Sequence, residues 1–270
     1  MITEATYKTL LICGFYLLFS TSHASDMEKE KRWADQVVDS IMVGEAEWLN
    51  VGKDKVLSIY TENTTDKAIG GAIILHGSGV HPNWDQVIRP LRSQLPEHGW
   101  LTLSIQLPVL ANEADYKDYI PLFKDVAPRL KAGVAFLKSK GIRNIAIVAH
   151  SLGSSMAAYY LANKPDAAIR ALVAVGVSGE MHKKDKVGYL TSLKTIKVPV
   201  LDIYGSSDLP GVLNTKKARA DVARKAGNKN YSQLEIPGAN HFFDGHDEVL
   251  IKRVRGWLAK NAGGTEIKIK

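Results

Sequence analysis

Two short runs, Ile145-Ala-Ile-Val-Ala and Ala171-Leu-Val-Ala-Val, are apolar at every position rather than at every second one. A strand with one wet face alternates apolar and polar residues. One that is apolar throughout is covered on both faces, as in a parallel sheet flanked by helices. Further strand-like runs lie at 47–50, 56–60, 72–75, 101–106, 198–204 and 233–236, and the two above extend to 144–149 and 171–177. The first pair reads as a hairpin around Gly52-Lys53-Asp54. Helical spacing fills the gaps at about 27–42, 84–95, 117–139, 152–163, 213–226 and 247–260. In the last of these, Leu250, Val254, Trp257 and Leu258 form one apolar face. Eight strands alternating with helices predict an α/β fold with right-handed crossovers. With no repeat, low-complexity tract or long linker, residues 25–262 read as one domain, and Gly263-Gly264 opens a mobile tail, 263–270.

The beginning of the chain reads differently. Lys8, the apolar run 10–19 and small residues at 22 and 24 predict a secretory signal peptide, residues 1–24, and an exported protein, periplasmic or secreted. Ten apolar residues fall short of the roughly 20 needed to span a bilayer. The only cysteine, Cys13, lies in this run behind Ile12 rather than a small residue, which argues against lipid attachment. Past residue 24 the core therefore rests on packing without disulfides, and the chain is long enough to supply it. The net charge of +7 survives removal of 1–24, since Glu4 and Lys8 cancel. Its basic residues are scattered apart from short clusters such as Lys183, Lys184 and Lys186, with no interleaved aromatics. That pattern does not describe a nucleic-acid groove; it is consistent at most with loose contact to an anionic envelope surface.

Chemistry enters at Ala149-His-Ser-Leu-Gly153, placed after a buried strand and before a small-residue helix. A serine hydroxyl is a poor nucleophile until a base accepts its proton and an acid orients that base. A sharp strand-to-helix turn lifts such a serine clear of the sheet and requires small residues two before and two after it, here Ala149 and Gly153. Ala149 departs by one methyl group from the usual glycine. Ser151 is the candidate nucleophile. Its partners are expected downstream, in the order acid then histidine, on loops after later strands. Gly205-Ser-Ser-Asp208 follows one such strand and Pro237-Gly-Ala-Asn-His241 the next. Asp208 is the expected orienting acid, with Glu180 in reserve, and His241 the expected base. Asp202 lies inside a strand and reads as a structural hydrogen-bonding residue.

Acyl transfer also needs two backbone N–H groups aimed where negative charge develops. Leu152, next after the nucleophile, supplies one. Ser78 in Leu75-His-Gly-Ser-Gly79, after the third strand, supplies the other. Neither His76 with His81 nor His241 with His246 has carboxylates or cysteines at metal-ligand spacing, so no metal or other cofactor is expected.

On these four motifs, 75–79, 149–153, 205–208 and 240–241, the chain resembles the α/β-hydrolase superfamily over essentially all of the sequence past residue 24. The resemblance implies an eight-stranded, mostly parallel sheet, a Ser-Asp-His triad and no cofactor. Ala-His-Ser-x-Gly also occurs in some small bacterial lipases without a lid. The stretch from His76 to Leu110 resembles a group of exported bacterial α/β-hydrolase-like proteins of unknown function. The expected activity is hydrolysis of a small-molecule carboxylic ester or thioester. The alternative is a non-catalytic binding or scaffold protein of the envelope, because fold alone does not establish activity. Only about 20 residues separate the sixth and seventh strands, where this superfamily inserts a lid. No sizeable lid domain is therefore expected, and the cleft should be shallow and open, favouring accessible or polar substrates. Trp84, Leu107 and Phe242, with Pro82, Leu110 and Tyr116, are expected in its wall by loop position.

Overall fold

The structure, a computed structural model, describes residues 25–179 and 187–263. The expected signal peptide, Glu180, the lysine cluster at 183–186 and the tail beyond Gly263 lie outside the described residues. In chain order the elements are α1 (Met27–Val38), β1 (Glu45–Val51), β2 (Asp54–Thr61), β3 (Gly70–Leu75), α2 (Ile88–Gln94), β4 (Trp100–Ile105) and α3 (Phe123–Ser139). There follow β5 (Ile145–His150), α4 (Leu152–Ala162), β6 (Ile169–Val175), α5 (Tyr189–Leu193) and β7 (Val200–Ser207). The last are α6 (Pro210–Leu213), α7 (Lys216–Lys225), β8 (Tyr231–Asn240) and α8 (Asp247–Asn261).

All eight strands join one sheet in the order β1-β2-β4-β3-β5-β6-β7-β8. β2 runs antiparallel to β1 and β4, and the remaining pairs are parallel. This is the α/β-hydrolase fold. Both faces are covered, which explains the unbroken apolar runs. Along β5, Ile145, Ile147 and Ala149 pack on one face with Leu130 and Val134 of α3 and Met156 of α4. Ala146 and Val148 pack on the other face with Ile88 and Leu91 of α2 and Leu250, Val254 and Leu258 of α8.

Several boundaries differ from the sequence reading for local reasons. α1 stops at Val38 rather than running to 42, because the Val37 carbonyl accepts both the Ser40 N–H at 3.0 Å and its hydroxyl at 2.9 Å. The segment expected to be helical from 117 opens as a 3-10 turn, Tyr116–Leu122, in which Asp115 and Asp118 cap each other. The helix expected at 213–226 is split into α6 and α7, and the five-residue α5 is too short to show a period. β8, with ten residues, is two and a half times the length its apolar core at 233–236 predicts. It is an edge strand, so its outward residues remain polar and Pro237 fits without breaking a ladder.

Asp202 is fully buried in β7. It accepts hydrogen bonds from Arg219 Nε at 2.7 Å, Gln233 Nε2 at 2.9 Å and the Tyr231 hydroxyl at 2.5 Å. Its role is structural, as its place in the strand suggested.

Candidate active site

The carboxyl ends of β5, β6, β7 and β8 lie side by side, so the loops that leave them meet at one rim. Ser151 sits where β5 turns into α4, at φ 53° and ψ −121°, a conformation unfavourable for a residue with a side chain. The turn is held by the Ser151 N–H donating to the Val175 carbonyl at 2.8 Å and by Ser154 Oγ donating to the Ala149 carbonyl at 2.7 Å. Close backbone approach makes Gly153 obligatory, since a Cβ there would stand 2.3 Å from the His76 carbonyl oxygen. Two residues before the serine, the Ala149 methyl is buried among core side chains.

Asp208 and His241 reach this serine from the next loops. His241 Nδ1–H donates to Asp208 Oδ1 at 2.6 Å, and the Ser151 hydroxyl donates to His241 Nε2 at 3.1 Å. Asp208 is buried, and its carboxylate also accepts the N–H groups of Leu209 at 2.7 Å and Gly205 at 3.3 Å. These donors fix its orientation. An imidazole so placed keeps its proton on Nδ1 and offers Nε2 to the alcohol.

Two further residues complete this geometry. Gly176, at φ 58°, directly follows β6, where a Cβ would come 3.1 Å from His241 Nδ1 and 3.4 Å from Asp208 Oδ2. The glycine that interrupts Ala171-Leu-Val-Ala-Val-Gly-Val was its sequence signal, because a glycine in a strand marks close approach. His150 is also buried, and its Nε2–H donates to the His241 carbonyl at 3.0 Å with the two rings 4.8 Å apart. Burial, followed by the neighbouring His241, lowers its pKa to about 4, so it is a neutral tether. His76 performs a similar task in the loop after β3. Its Nδ1–H donates to the Gly77 carbonyl at 2.8 Å and its Nε2 accepts the Leu107 N–H at 2.8 Å. Burial lowers its pKa to about 3.

The serine opens into a cleft of about 440 Å³. Gly77 and Ser78 border it, as do Trp84, Tyr116 and Phe242. Leu152 begins α4; its side chain is buried, and its N–H is one of those a helix start leaves without an intrahelical partner. Leu107 is not in the wall. It is 1% exposed, and its N–H is held by His76, which turns its side chain into the main core. Pro82 and Leu110 are also absent from the lining: Pro82 is buried, its carbonyl accepting from Ser104, and Leu110 packs on the core. Val80, Leu209 and Val212 line the cleft instead. The exposed wall is thus mainly apolar. Among the described residues, no three His, Cys, Asp or Glu side chains gather as a metal ion would require.

Fold and site together define an α/β-hydrolase-fold protein with a serine, a histidine and an aspartate in one hydrogen-bonded line. The family described as "Protein of unknown function (DUF3530)" matches residues 22–119 and 122–260, and the chain belongs to it. No curated protein matches the sequence. Among solved structures, the dienelactone hydrolase from Anabaena variabilis is similar, with 23% identity and a TM-score of 0.63, covering 81% of this chain and 98% of that one. Est1E from Butyrivibrio proteoclasticus shares 17% identity at a TM-score of 0.65, covering 81% and 98%. The Pyrococcus furiosus esterase Pf2001 shares 18% at 0.65, covering 82% and 93%. At these identities the likeness is one of fold.

Proposed function

We propose that the protein is a serine hydrolase acting on carboxylic esters or thioesters through an acyl-enzyme. The observation that carries this reading is the unbroken line Asp208–His241–Ser151, at 2.6 and 3.1 Å, on the floor of an open cleft. The fold neighbours named as hydrolases and esterases lend it support.

In the first half-reaction, Ser151 Oγ attacks the acyl carbon while His241 Nε2 takes its proton. The carbonyl oxygen gains negative charge and is held by the N–H groups of Leu152 and Ser78. The positive end of α4 adds to this field. Collapse of the tetrahedral species expels the alcohol or thiol, which receives the proton from His241. Water then attacks the acyl-serine, with His241 again as base, and releases the acid. Asp208 holds the imidazole in one tautomer throughout.

A fluorophosphonate probe tests the reading directly. The native protein is expected to label at a single site, with labelling abolished in Ser151→Ala and His241→Ala. Asp208→Asn should lower turnover by roughly 10³- to 10⁴-fold while retaining the fold. A folded, monodisperse sample that does not label would instead favour a binding or scaffold role.

A further inference from the structure

The cleft walls narrow the substrate of the site just described, and this inference rests on that reading. The chain carries 35 Lys and Arg and 28 Asp and Glu, yet none of these residue types is among the described residues lining the cleft. Asp208 stands behind His241 and is buried. Val80 and Trp84 line it from the loop after β3, Tyr116 from the loop after β4, Leu209 and Val212 from the α6 region, and Phe242 from the loop after β8. The Tyr116 hydroxyl is engaged with Ser155 Oγ at 3.2 Å, and burial pushes its pKa up to about 12, so it carries no charge at neutral pH.

Of these lining residues, Leu209 is 52% exposed and Phe242 39% exposed. Each lies one residue beyond a member of the hydrogen-bonded line, which places two solvent-facing apolar groups at the mouth. Apolar side chains exposed around a concave site mark a surface for ligand contact. A carboxylate or ammonium entering such a cleft would lose water and find no opposite charge among the described lining residues. An alkyl or aryl group would gain at every carbon it buries. A volume near 440 Å³ is within the range of pockets that hold a drug-sized molecule.

We propose that the site takes uncharged esters or thioesters bearing an apolar group of medium length, and discriminates against acyl chains that end in a charge. The test compares three p-nitrophenyl esters: the hexanoate, the mono-ester of adipic acid and the 6-aminohexanoate. They share the reacting carbonyl and differ at the far end of the chain. The expected kcat/KM for the hexanoate exceeds both others by roughly 100-fold, and rises about threefold to fivefold per added methylene until the cleft is filled. Leu209→Lys should then narrow the gap between hexanoate and adipate by about tenfold by supplying a cation at the mouth. Equal turnover of all three esters overturns the inference and leaves the hydrolase reading standing. So does fluorophosphonate labelling of Ser151 without turnover of the hexanoate. Absence of both labelling and turnover in folded protein overturns the hydrolase reading itself, and this inference with it.

Discussion

At position 176 a methyl group would face the imidazole of His241 at 3.1 Å, nearer than such contacts normally allow, on a backbone with φ 58°. Gly176→Ala should therefore cost about 1–2 kcal/mol of stability from the left-handed backbone alone. It should also slow fluorophosphonate labelling at least tenfold by displacing His241 from Ser151. A thermal melt and a labelling time course check the two effects, and a folded variant that labels at the native rate would rule out the steric role. The three hydrogen-bonded residues Ser151, Asp208 and His241 were legible in the sequence because each stands just past a strand, in the order the fold imposes. Leu107 was misread because loop position tells which strand a residue follows, not where its side chain points. His150 gave no sign of its bond to His241, since that contact joins residues 91 positions apart.

Elements are coupled by contacts that pattern reasoning does not reach. α1 packs beside the hairpin and is fixed by a buried pair: Arg129 of α3 donates from both terminal nitrogens to Glu30, at 2.8 and 2.9 Å, and from one of them to the Gln106 carbonyl at 2.8 Å. Lys29 donates to the Leu110 carbonyl at 2.7 Å and to Asn112 at 2.8 Å. The helix thereby holds the loop that leads to Tyr116 in the cleft wall. Removing one member strands the other without solvent, so Glu30→Met and Arg129→Met should each cost about 3–5 kcal/mol in urea unfolding. The double variant should recover most of that loss. If the two losses simply add, the pair is not coupled. The amphipathic spacing of α1 was visible in the sequence, but its partner lies 99 residues away and could not be read from periodicity.

For the whole molecule, acid is the condition that discriminates. His76 and His150 are buried and neutral, with pKa values lowered to about 3 and about 4, chiefly by burial. An unfolded chain would protonate both near pH 6.5, while the folded chain resists until far lower pH. Their contribution is thus complete above about pH 6.5 and is lost as pH falls toward 4, on the order of 3 kcal/mol each. Urea midpoints at pH 7 and pH 4.5 should differ more for the native protein than for His76→Asn combined with His150→Gln. Equal differences would remove these histidines from the account. The sheet architecture was the most legible feature, since burial on both faces is written into the composition of each inner strand. The wall chemistry was the least legible, because it depends on how loops from separate strands fold against one another.

The parallel arrangement also separates the molecule into a working rim and a plain one. Lys140, Lys164 and Lys197 are exposed near the amino ends of β5, β6 and β7, away from the cleft. In protein that begins at residue 25, which has no native thiol, a cysteine introduced at Lys197 would provide a unique handle. Tethered to a bead or a sensor surface by that handle, every copy would present its opening outward to the solution.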